Sequence, residues 1–166
     1  MPNSISVNID GQEFTADVGQ TIMQVARDNE IDIPSLCDSP HLDSFGSCRM
    51  CIVEIDGRLG TPSSCTTPVN DGMVVSTTSE RLWKLRRGIT ELYVSEHPLD
   101  CLTCTANGDC ELQDVAADVG LRDVRYDNEP AFANVPIDFS NPFFSFDASK
   151  CIVCSRCIRA CDDIQV

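Results

Sequence analysis

Residues 4–17 read SISVNIDGQEFTAD, with two stretches of alternating polar and apolar residues on either side of Asp10-Gly11. Alternation with a period of two predicts strands that each bury one face. An Asp-Gly pair between two such stretches is a strong signal for a tight two-residue hairpin. We therefore predict a pair of hairpin strands over residues 4–9 and 12–18.

The residues after this hairpin predict one helix and two short strands. Thr21 is a favourable helix N-cap, and the apolar residues within 22–26 recur at helical spacing. The apolar runs 52–55 and 73–75 predict two further strands. A hairpin, a helix and two more strands within residues 1–78 predict a compact α+β domain.

Beyond residue 78 the apolar periodicity becomes that of helices. Residues 79–120 predict a helix that begins at Ser79 and is stopped by Pro98, and then a shorter helix over about 109–119. The stripe typical of an amphipathic helix consists of Leu82, Leu85, Ile89, Leu92 and Tyr93. Residues 121–149 hold several prolines and predict a mostly irregular connector.

The composition excludes several classes of protein. With 12 basic and 26 acidic residues the formal net charge is −14, so binding to nucleic acid through a basic surface is not expected. No run approaches 18 apolar residues, so we predict no membrane span. The N-terminal stretch has no basic region followed by an apolar one, and we therefore expect a reducing compartment, the cytoplasm.

Eleven cysteines are the main chemical signal of the sequence. In a reducing compartment they are better explained as metal ligands than as disulfides, and an odd number leaves at least one unpaired. They form three groups: Cys37, Cys48, Cys51 and Cys65; Cys101, Cys104 and Cys110; and Cys151, Cys154, Cys157 and Cys161.

The first group has the ligand number of a 2Fe–2S cluster, in which four thiolates hold two irons. Cys48 and Cys51 are close enough in sequence to bind from one turn, while Cys37 and Cys65 would complete the site. Gly46 precedes this pair and allows backbone amides to approach the cluster sulfides. The alternative is a structural zinc site, because four thiolates with a C-x2-C pair also suit zinc.

The second group contains three cysteines, which cannot complete a four-iron site alone. His97 lies four residues before Cys101 and could supply the fourth bond through a neutral imidazole nitrogen. The alternative is that His97 is only a residue at the C-terminus of the preceding helix. His41 is interpreted as a loop residue near the first group.

The third group follows the bacterial ferredoxin pattern, with Asp162 where a proline is usual. In that pattern three cysteines hold one 4Fe–4S cluster and the fourth reaches a second cluster. No second run of this kind occurs within the 166 residues, so we expect a truncated ferredoxin domain. Alternatively, Cys161 completes the cluster of its own group.

Two sets of basic residues accompany these groups. The set on the long predicted helix consists of Arg81, Lys84, Arg86 and Arg87. It is interpreted as a solvated helix face, or alternatively as a docking face for an acidic partner or for the rest of the same enzyme. Lys150, Arg156 and Arg159 surround the third group, where positive charge would favour the reduced cluster; we expect Arg156→Gln to lower its potential.

Together the three groups resemble the N-terminal iron–sulfur module of the catalytic alpha subunit of NAD-dependent molybdenum or tungsten formate dehydrogenases. The same module resembles parts of the large iron–sulfur subunit of respiratory complex I and of the iron-only and NAD-reducing hydrogenases. The resemblance rests on the spacing of the first group, on HPLDCLTC…GDCELQ (97–113) and on KCIVCSRCIRAC (150–161). The last segment is most similar to the formate dehydrogenase form, which retains the fourth cysteine.

The resemblance implies an α+β fold in four parts. Residues 1–78 would be a β-grasp, ferredoxin-like domain that binds 2Fe–2S, and residues 79–120 a helical 4Fe–4S domain. Residues 121–149 would connect them to the first half of a ferredoxin domain at 150–166. The implied ligands are Cys37, Cys48, Cys51 and Cys65 for 2Fe–2S; His97, Cys101, Cys104 and Cys110 for 4Fe–4S; Cys151, Cys154 and Cys157 for another 4Fe–4S; and Cys161 for its neighbour.

The implied function is electron relay within an oxidoreductase rather than substrate chemistry. Electrons would pass from a formate-oxidising molybdopterin site in another domain to a flavin- and NAD-binding diaphorase-type subunit, so a hetero-oligomer is expected. The alternatives are a hydrogenase electron-transfer subunit, the large iron–sulfur subunit of an NADH:quinone oxidoreductase, and, from another class, a zinc-bound structural module. No catalytic residue is expected, and no G-x-S-x-G, Walker or G-x-G-x-x-G motif occurs.

Overall fold

The computed structural model describes residues 4–130 and 132–165. The chain divides into two compact units, each of which is described by itself. The first unit runs up to Arg86 and also includes the segment that begins at Ser155, and the second unit is Arg87–Cys154. The three cysteine groups are therefore not contained in one unit.

A four-stranded mixed sheet forms the framework of the first unit. Its strands are β1 (Ser4–Ile9), β2 (Gln12–Asp17), β3 (Glu54–Ile55) and β4 (Met73–Ser76). The strand order is β2-β1-β4-β3, with β1 and β4 parallel at the centre and the outer pairs antiparallel. Each of the four strands predicted from the sequence is present, so the α+β fold class is confirmed, although β3 is shorter than its apolar run.

The β1–β2 hairpin turns at Asp10-Gly11, as predicted. Asp10 has φ 51° and Gly11 has φ 85°, so both central residues have the positive φ that a type I′ turn requires. The Asp10 carboxylate also accepts a hydrogen bond from the backbone N–H of Thr77, at 2.8 Å, just after β4. The same residue therefore forms the turn and attaches the end of a central strand.

Helix α1 (Ile22–Asp28) packs on one face of this sheet. Thr21 Oγ1 accepts from the Gln24 backbone N–H at 3.2 Å, and Gln24 Oε1 accepts from the Thr21 N–H at 2.8 Å. This reciprocal capping box confirms the predicted N-cap. The buried side chains between helix and sheet include Val7, Ile9, Ala16, Ile22, Met23, Val25, Ala26, Val53 and Val75.

Helix α2 (Glu80–Ser95) begins where predicted, with Ser79 Oγ accepting from the Leu82 N–H at 3.1 Å. Only part of its apolar stripe is buried. Leu85 and Leu92 are 39% and 55% exposed, whereas the buried residues of the helix are Leu82, Arg86, Thr90, Glu91 and Ser95. Polar groups can occupy a buried face when each finds a partner, and the apolar pattern does not reveal those partners.

The second unit is held together by short elements and loops. Helix α3 (Glu111–Asp118) buries Leu112 and Val115, and 3-10 turns occur at Cys101–Thr103 and Ala148–Lys150. In the described parts of the connector, 121–130 and 132–147, the chain is irregular apart from an isolated bridge between Asp138 and Phe146.

The segment that returns to the first unit contains helix α4 (Arg156–Arg159), which continues as a π-helical turn over Ala160–Gln165. Of the helices in the described part of the chain, none combines the length and apolar character that a membrane crossing requires.

Candidate functional site

The four cysteines of the first group are buried together in the first unit, and each is at most 2% exposed. They lie as two pairs. The Cys51 thiol lies 3.3 Å from Cys65 Sγ, and the Cys48 backbone N–H donates to Cys37 Sγ at 3.4 Å. The Leu36 N–H in turn donates to Cys48 Sγ at 3.4 Å. Backbone donors directed at sulfur are the environment that a negatively charged thiolate cluster needs.

A side-chain hydrogen bond within each pair shifts the pKa values of its two thiols in opposite directions. A hydrogen bond with Cys37 lowers the pKa of Cys48 to about 5, and the same contact raises the pKa of Cys37. A hydrogen bond with Cys65 lowers the pKa of Cys51 to about 7 and raises that of Cys65. The pairs also act on each other, since the charge of Cys48 opposes ionisation of Cys51. An iron ion between two sulfurs would take the place of the hydrogen in each of these bonds.

The loop that carries Cys48 and Cys51 curves tightly around the sulfurs. Gly46 has φ 72° and Arg49 has φ 59°, both in the left-handed region. A Cβ on Gly46 would lie 3.3 Å from the side-chain oxygens of Ser63 and Thr66, so a larger residue would press against the segment that carries Cys65. The approach of backbone amides to the cluster sulfides at Gly46 stays a prediction.

Ser64, next to Cys65, is a polar residue that no sequence pattern identified. It is fully buried, and its hydroxyl has no hydrogen-bond partner within the described residues. The hydroxyl is nevertheless near enough to Cys51 to contribute to lowering the pKa of that thiol, after the larger effect of Cys65. An unpartnered buried donor beside the sulfurs fits a site that receives an anionic cluster.

The second group surrounds a cavity of about 240 Å³ in the second unit. His97, Cys101, Cys104 and Cys110 all line it, and its other walls are mainly apolar, with Val94, Leu112, Ala116 and Leu121 among them. The four residues come from the loop after α2, the following turns and the start of α3. The structure thus brings together the four residues predicted for this site.

The geometry of His97 leaves one ring nitrogen available. Its Nδ1 lies 3.0 Å from the carbonyl oxygen of Pro98. Because a carbonyl only accepts, Nδ1 carries the hydrogen in this contact, and Nε2 of the neutral ring keeps its lone pair. A carbonyl that orients the ring in this way is the usual arrangement for a metal-binding histidine.

Within the described ranges, no three His, Cys, Asp or Glu side chains already converge tightly enough to hold one metal ion. The sulfurs of the first group instead meet in pairs, and those of the second group surround a larger space. A 2Fe–2S cluster takes two cysteines per iron and a 4Fe–4S cluster takes one ligand per iron. The pairing of the four sulfurs in the first group matches the two cysteines per iron of a 2Fe–2S cluster.

Two ion pairs support the second site. Lys150 Nζ pairs with an Asp100 carboxylate oxygen, and this contact raises the pKa of Lys150 and lowers the pKa of Asp100. Glu91 is buried in α2, and its carboxylate accepts from the Arg125 guanidinium at 2.7 Å and from the Arg125 backbone N–H at 2.6 Å. The first contact attaches the turn before Cys101 to the segment before Cys151, and the second attaches the loop after α3 to α2.

The third group is more exposed than the others. Cys151, Cys157 and Cys161 are exposed and Cys154 is partly buried. The Val153 N–H donates to Cys151 Sγ at 3.4 Å, and Val153 has φ 56°, which is strained for a β-branched residue. Strain of this kind persists where a loop must curve around a ligand.

The basic residues of α2 do not form one solvated face. Arg81 and Lys84 are exposed and pair with Glu54 and Glu80. Arg86 is only 8% exposed and donates to the carbonyl oxygens of Met50, at 3.1 Å, and Ile52, at 2.8 Å. For Arg86 the interpretation as a solvated residue was wrong, because its guanidinium satisfies the carbonyls beside Cys51.

Comparison with known proteins gives the family context of these sites. Residues 3–80 match the family described as 2Fe-2S iron-sulfur cluster binding domains, and residues 86–125 match the iron-sulfur binding region of NADH-ubiquinone oxidoreductase-G. The chain thus combines a 2Fe–2S domain with a 4Fe–4S binding region, as predicted.

Two curated relatives illustrate where such a segment occurs. The chain is 40% identical to the NADP-reducing hydrogenase subunit HndD of Solidesulfovibrio fructosivorans, over 97% of this chain and 28% of that subunit. It is 34% identical to the mitochondrial NADH-ubiquinone oxidoreductase 78 kDa subunit of Candida albicans, over 96% of this chain and 22% of that subunit. The chain therefore spans less than a third of either relative.

The fold also matches a solved structure. A chain of the NAD+-reducing NiFe hydrogenase, determined in its H2-reduced state, aligns with a TM-score of 0.88 and 33% identity, over 96% of this chain and 66% of that chain. Taken with the family matches, this similarity identifies the chain as an iron–sulfur electron-transfer module of the kind found in NADH-ubiquinone oxidoreductase-G and in related hydrogenase subunits.

Proposed function

We propose that the first unit holds the 2Fe–2S cluster through Cys37, Cys48, Cys51 and Cys65. The support is the burial of all four sulfurs and their association in two pairs. One pair, Cys37 and Cys48, would bind one iron, and Cys51 with Cys65 would bind the other. The backbone donors on these sulfurs stabilise the thiolate charge.

His97, Cys101, Cys104 and Cys110 hold a 4Fe–4S cluster in the cavity that they line. The contact of Nδ1 with the Pro98 carbonyl leaves Nε2 available to bind iron. The mainly apolar walls of the cavity would limit contact between a bound cluster and water.

The third group is assigned from its spacing. Cys151, Cys154 and Cys157 hold part of another 4Fe–4S cluster, and Cys161 reaches a neighbouring cluster. The corresponding domain boundaries are 1–78, 79–120, 121–149 and 150–166, the last being the start of a ferredoxin domain.

The function of the chain is electron relay. The bound clusters supply one-electron carriers, and the protein sets their potentials through ligand type, hydrogen bonds and burial. No residue of this chain is assigned a role in substrate chemistry. The observation that carries this proposal is the burial of four paired cysteines in a fold that matches a 2Fe–2S domain.

The source of the electrons lies in the longer protein or its partners. We assign it to formate oxidation at a molybdopterin site, with a flavin- and NAD-binding diaphorase-type subunit as acceptor in a cytoplasmic hetero-oligomer. The support is the fourth cysteine, Cys161, in the third group. A second candidate, electron transfer in an NAD(P)-reducing hydrogenase, is favoured by the 40% identical hydrogenase subunit and by the hydrogenase structure.

The experiment that tests the relay function is metal and sulfide analysis of anaerobically purified full-length protein, followed by EPR spectroscopy. We expect iron with acid-labile sulfide, and separate signals from 2Fe–2S and 4Fe–4S clusters on reduction. Stoichiometric zinc without acid-labile sulfide would refute the relay function. Reduction by formate, by H2 or by NADH under the same conditions then identifies the donor.

A further inference from the structure

The two arginines of α4 contact the loop that carries Cys37. Arg156 Nη2 donates to the carbonyl oxygen of Asp38 at 2.7 Å. Arg159 donates from one terminal nitrogen to the carbonyl oxygen of Cys37 and from the other to that of Asp43. From the sequence, both arginines were expected to act on the third cysteine group. Their hydrogen bonds are instead made to the loop that carries Cys37, a residue of the first group.

Arg159 is held in place by more than these two carbonyls. Its guanidinium carbon lies 4.5 Å from the centre of the Phe45 ring, at a distance typical of a cation–π contact. Its Nε is buried. A planar guanidinium that spans two carbonyls and stacks on a ring is held more rigidly than a lysine could be.

The charge of Arg159 is not neutralised locally. Within residues 4–130 and 132–165, it forms no ion pair with a carboxylate. The acidic side chain next to Cys37, that of Asp38, is buried and already pairs with Arg27 at 2.7 Å. One positive charge therefore remains beside the backbone of Cys37.

We propose that Arg159 is a positioning residue for the first cluster: it fixes the Cys37 loop and raises the reduction potential of the 2Fe–2S cluster. This inference rests on the proposed role of Cys37 as a ligand. Reduction adds one negative charge to the cluster, and a nearby fixed cation stabilises the reduced form more than the oxidised form.

The arrangement also joins two ligand-bearing segments. Arg159 lies between Cys157 and Cys161 in sequence, so the segment that carries these cysteines is fastened to the loop that carries Cys37. Order in the 155–165 segment therefore supports order in the 37–45 loop. The two segments are 122 residues apart in sequence at this contact.

The test compares Arg159→Gln, Arg159→Lys and Arg58→Gln in the anaerobically purified full-length protein. Arg58 is an exposed arginine of the same unit and controls for a general loss of charge. An EPR-monitored redox titration measures the 2Fe–2S potential, and hydrogen exchange measures the amides of residues 37–45. Arg159→Lys retains the charge but loses the planar fork that spans the two carbonyls. Where Arg159→Gln fails to assemble the cluster, hydrogen exchange in Arg159→Lys still tests the positioning role, and unchanged exchange in residues 37–45 would overturn it.

We expect Arg159→Gln to make the potential more negative, with a threefold to roughly tenfold change in the reduction equilibrium, where tenfold corresponds to 59 mV. Exchange in residues 37–45 should quicken in both Arg159 variants, while Arg159→Lys keeps most of the potential and Arg58→Gln changes neither quantity. Equal potentials in the wild-type, Gln and Lys proteins would overturn the inference. A wild-type protein without a 2Fe–2S signal would instead refute the ligand assignment beneath it.

Discussion

The imidazole of His97 is oriented by the next residue, because its Nδ1 lies 3.0 Å from the Pro98 carbonyl oxygen. The proline also stops the chain from continuing α2, so the histidine leaves the helix and reaches the cavity lined by the second cysteine group. One local feature thus sets both the position and the tautomer of the ring.

This arrangement predicts the behaviour of His97 variants. His97→Ala should abolish the EPR signal of the 4Fe–4S cluster in the second unit while leaving the 2Fe–2S signal intact. His97→Cys should retain the cluster at a more negative potential, because histidine in place of cysteine raises the potential of a cluster. His41→Ala, the other histidine of the chain, is the matched control and should change neither signal. An unchanged 4Fe–4S signal in His97→Ala would refute the assignment.

Gly46 and Gly57 form a second matched pair. They have nearly the same φ, 72° and 71°, but only a Cβ at Gly46 would meet neighbouring side chains, at 3.3 Å. We expect Gly57→Ala to lower the free energy of unfolding by about 1 kcal/mol through backbone strain alone. Gly46→Ala should lower it further and shift the 2Fe–2S potential, because it pushes against the Ser63–Thr66 segment. Denaturant unfolding measures the stability of the two variants, and redox titration measures their 2Fe–2S potentials. Equal effects of Gly46→Ala and Gly57→Ala would show that crowding at Gly46 is unimportant.

The local features of the fold were predictable from the sequence. Asp10-Gly11 and Thr21 each act within a few residues, through turn geometry and capping, and the structure confirms both. The cysteine spacings likewise predicted the 2Fe–2S domain and the 4Fe–4S region after it, and the family matches confirm these two. The ferredoxin segment that carries the third group stays a prediction. In each of these cases the physical cause is contained in a short stretch of chain.

The long-range contacts were not predictable in the same way. Arg86 was expected to be solvated but satisfies carbonyls 34 and 36 residues away, and Glu91 pairs with Arg125 from 34 residues away. A charged residue in a helical pattern carries no signal of its distant partner. The amphipathic stripe of α2 was therefore only a partial guide to the buried face: it includes the buried Leu82, but the other buried residues of the helix are polar.

Ser64 provides a third prediction, about the potential of the first cluster. Its buried hydroxyl lacks a partner in the described part of the chain and lies beside Cys51. A hydroxyl that donates to a cluster sulfur stabilises the reduced form, at about 1 kcal/mol for a typical hydrogen bond. Ser64→Ala should make the 2Fe–2S potential more negative. The equilibrium constant for reduction should fall by about fivefold. Ser76→Ala, on the exposed side of β4, is the control, and identical potentials in the two variants would refute the role of Ser64.

The Glu91–Arg125 pair predicts how the stability of the protein depends on pH. Hydrogen bonds from Arg125 lower the pKa of Glu91 from 4.5 to about 2, so the folded state holds this carboxylate ionised to lower pH than the unfolded chain does. The stabilisation is therefore complete above about pH 5 and is lost as the pH falls from 4.5 towards 2. Glu91→Gln should lower the melting temperature at pH 7, and the difference from wild type should narrow below pH 4.5.

Glu80→Gln breaks an exposed pair on the same helix and should have little effect on the melting temperature at any pH. Thermal melts of the three proteins between about pH 7 and pH 3 test this prediction. If the melting temperatures of Glu91→Gln and wild type differ as much at about pH 3 as at about pH 7, the assigned pKa shift is contradicted.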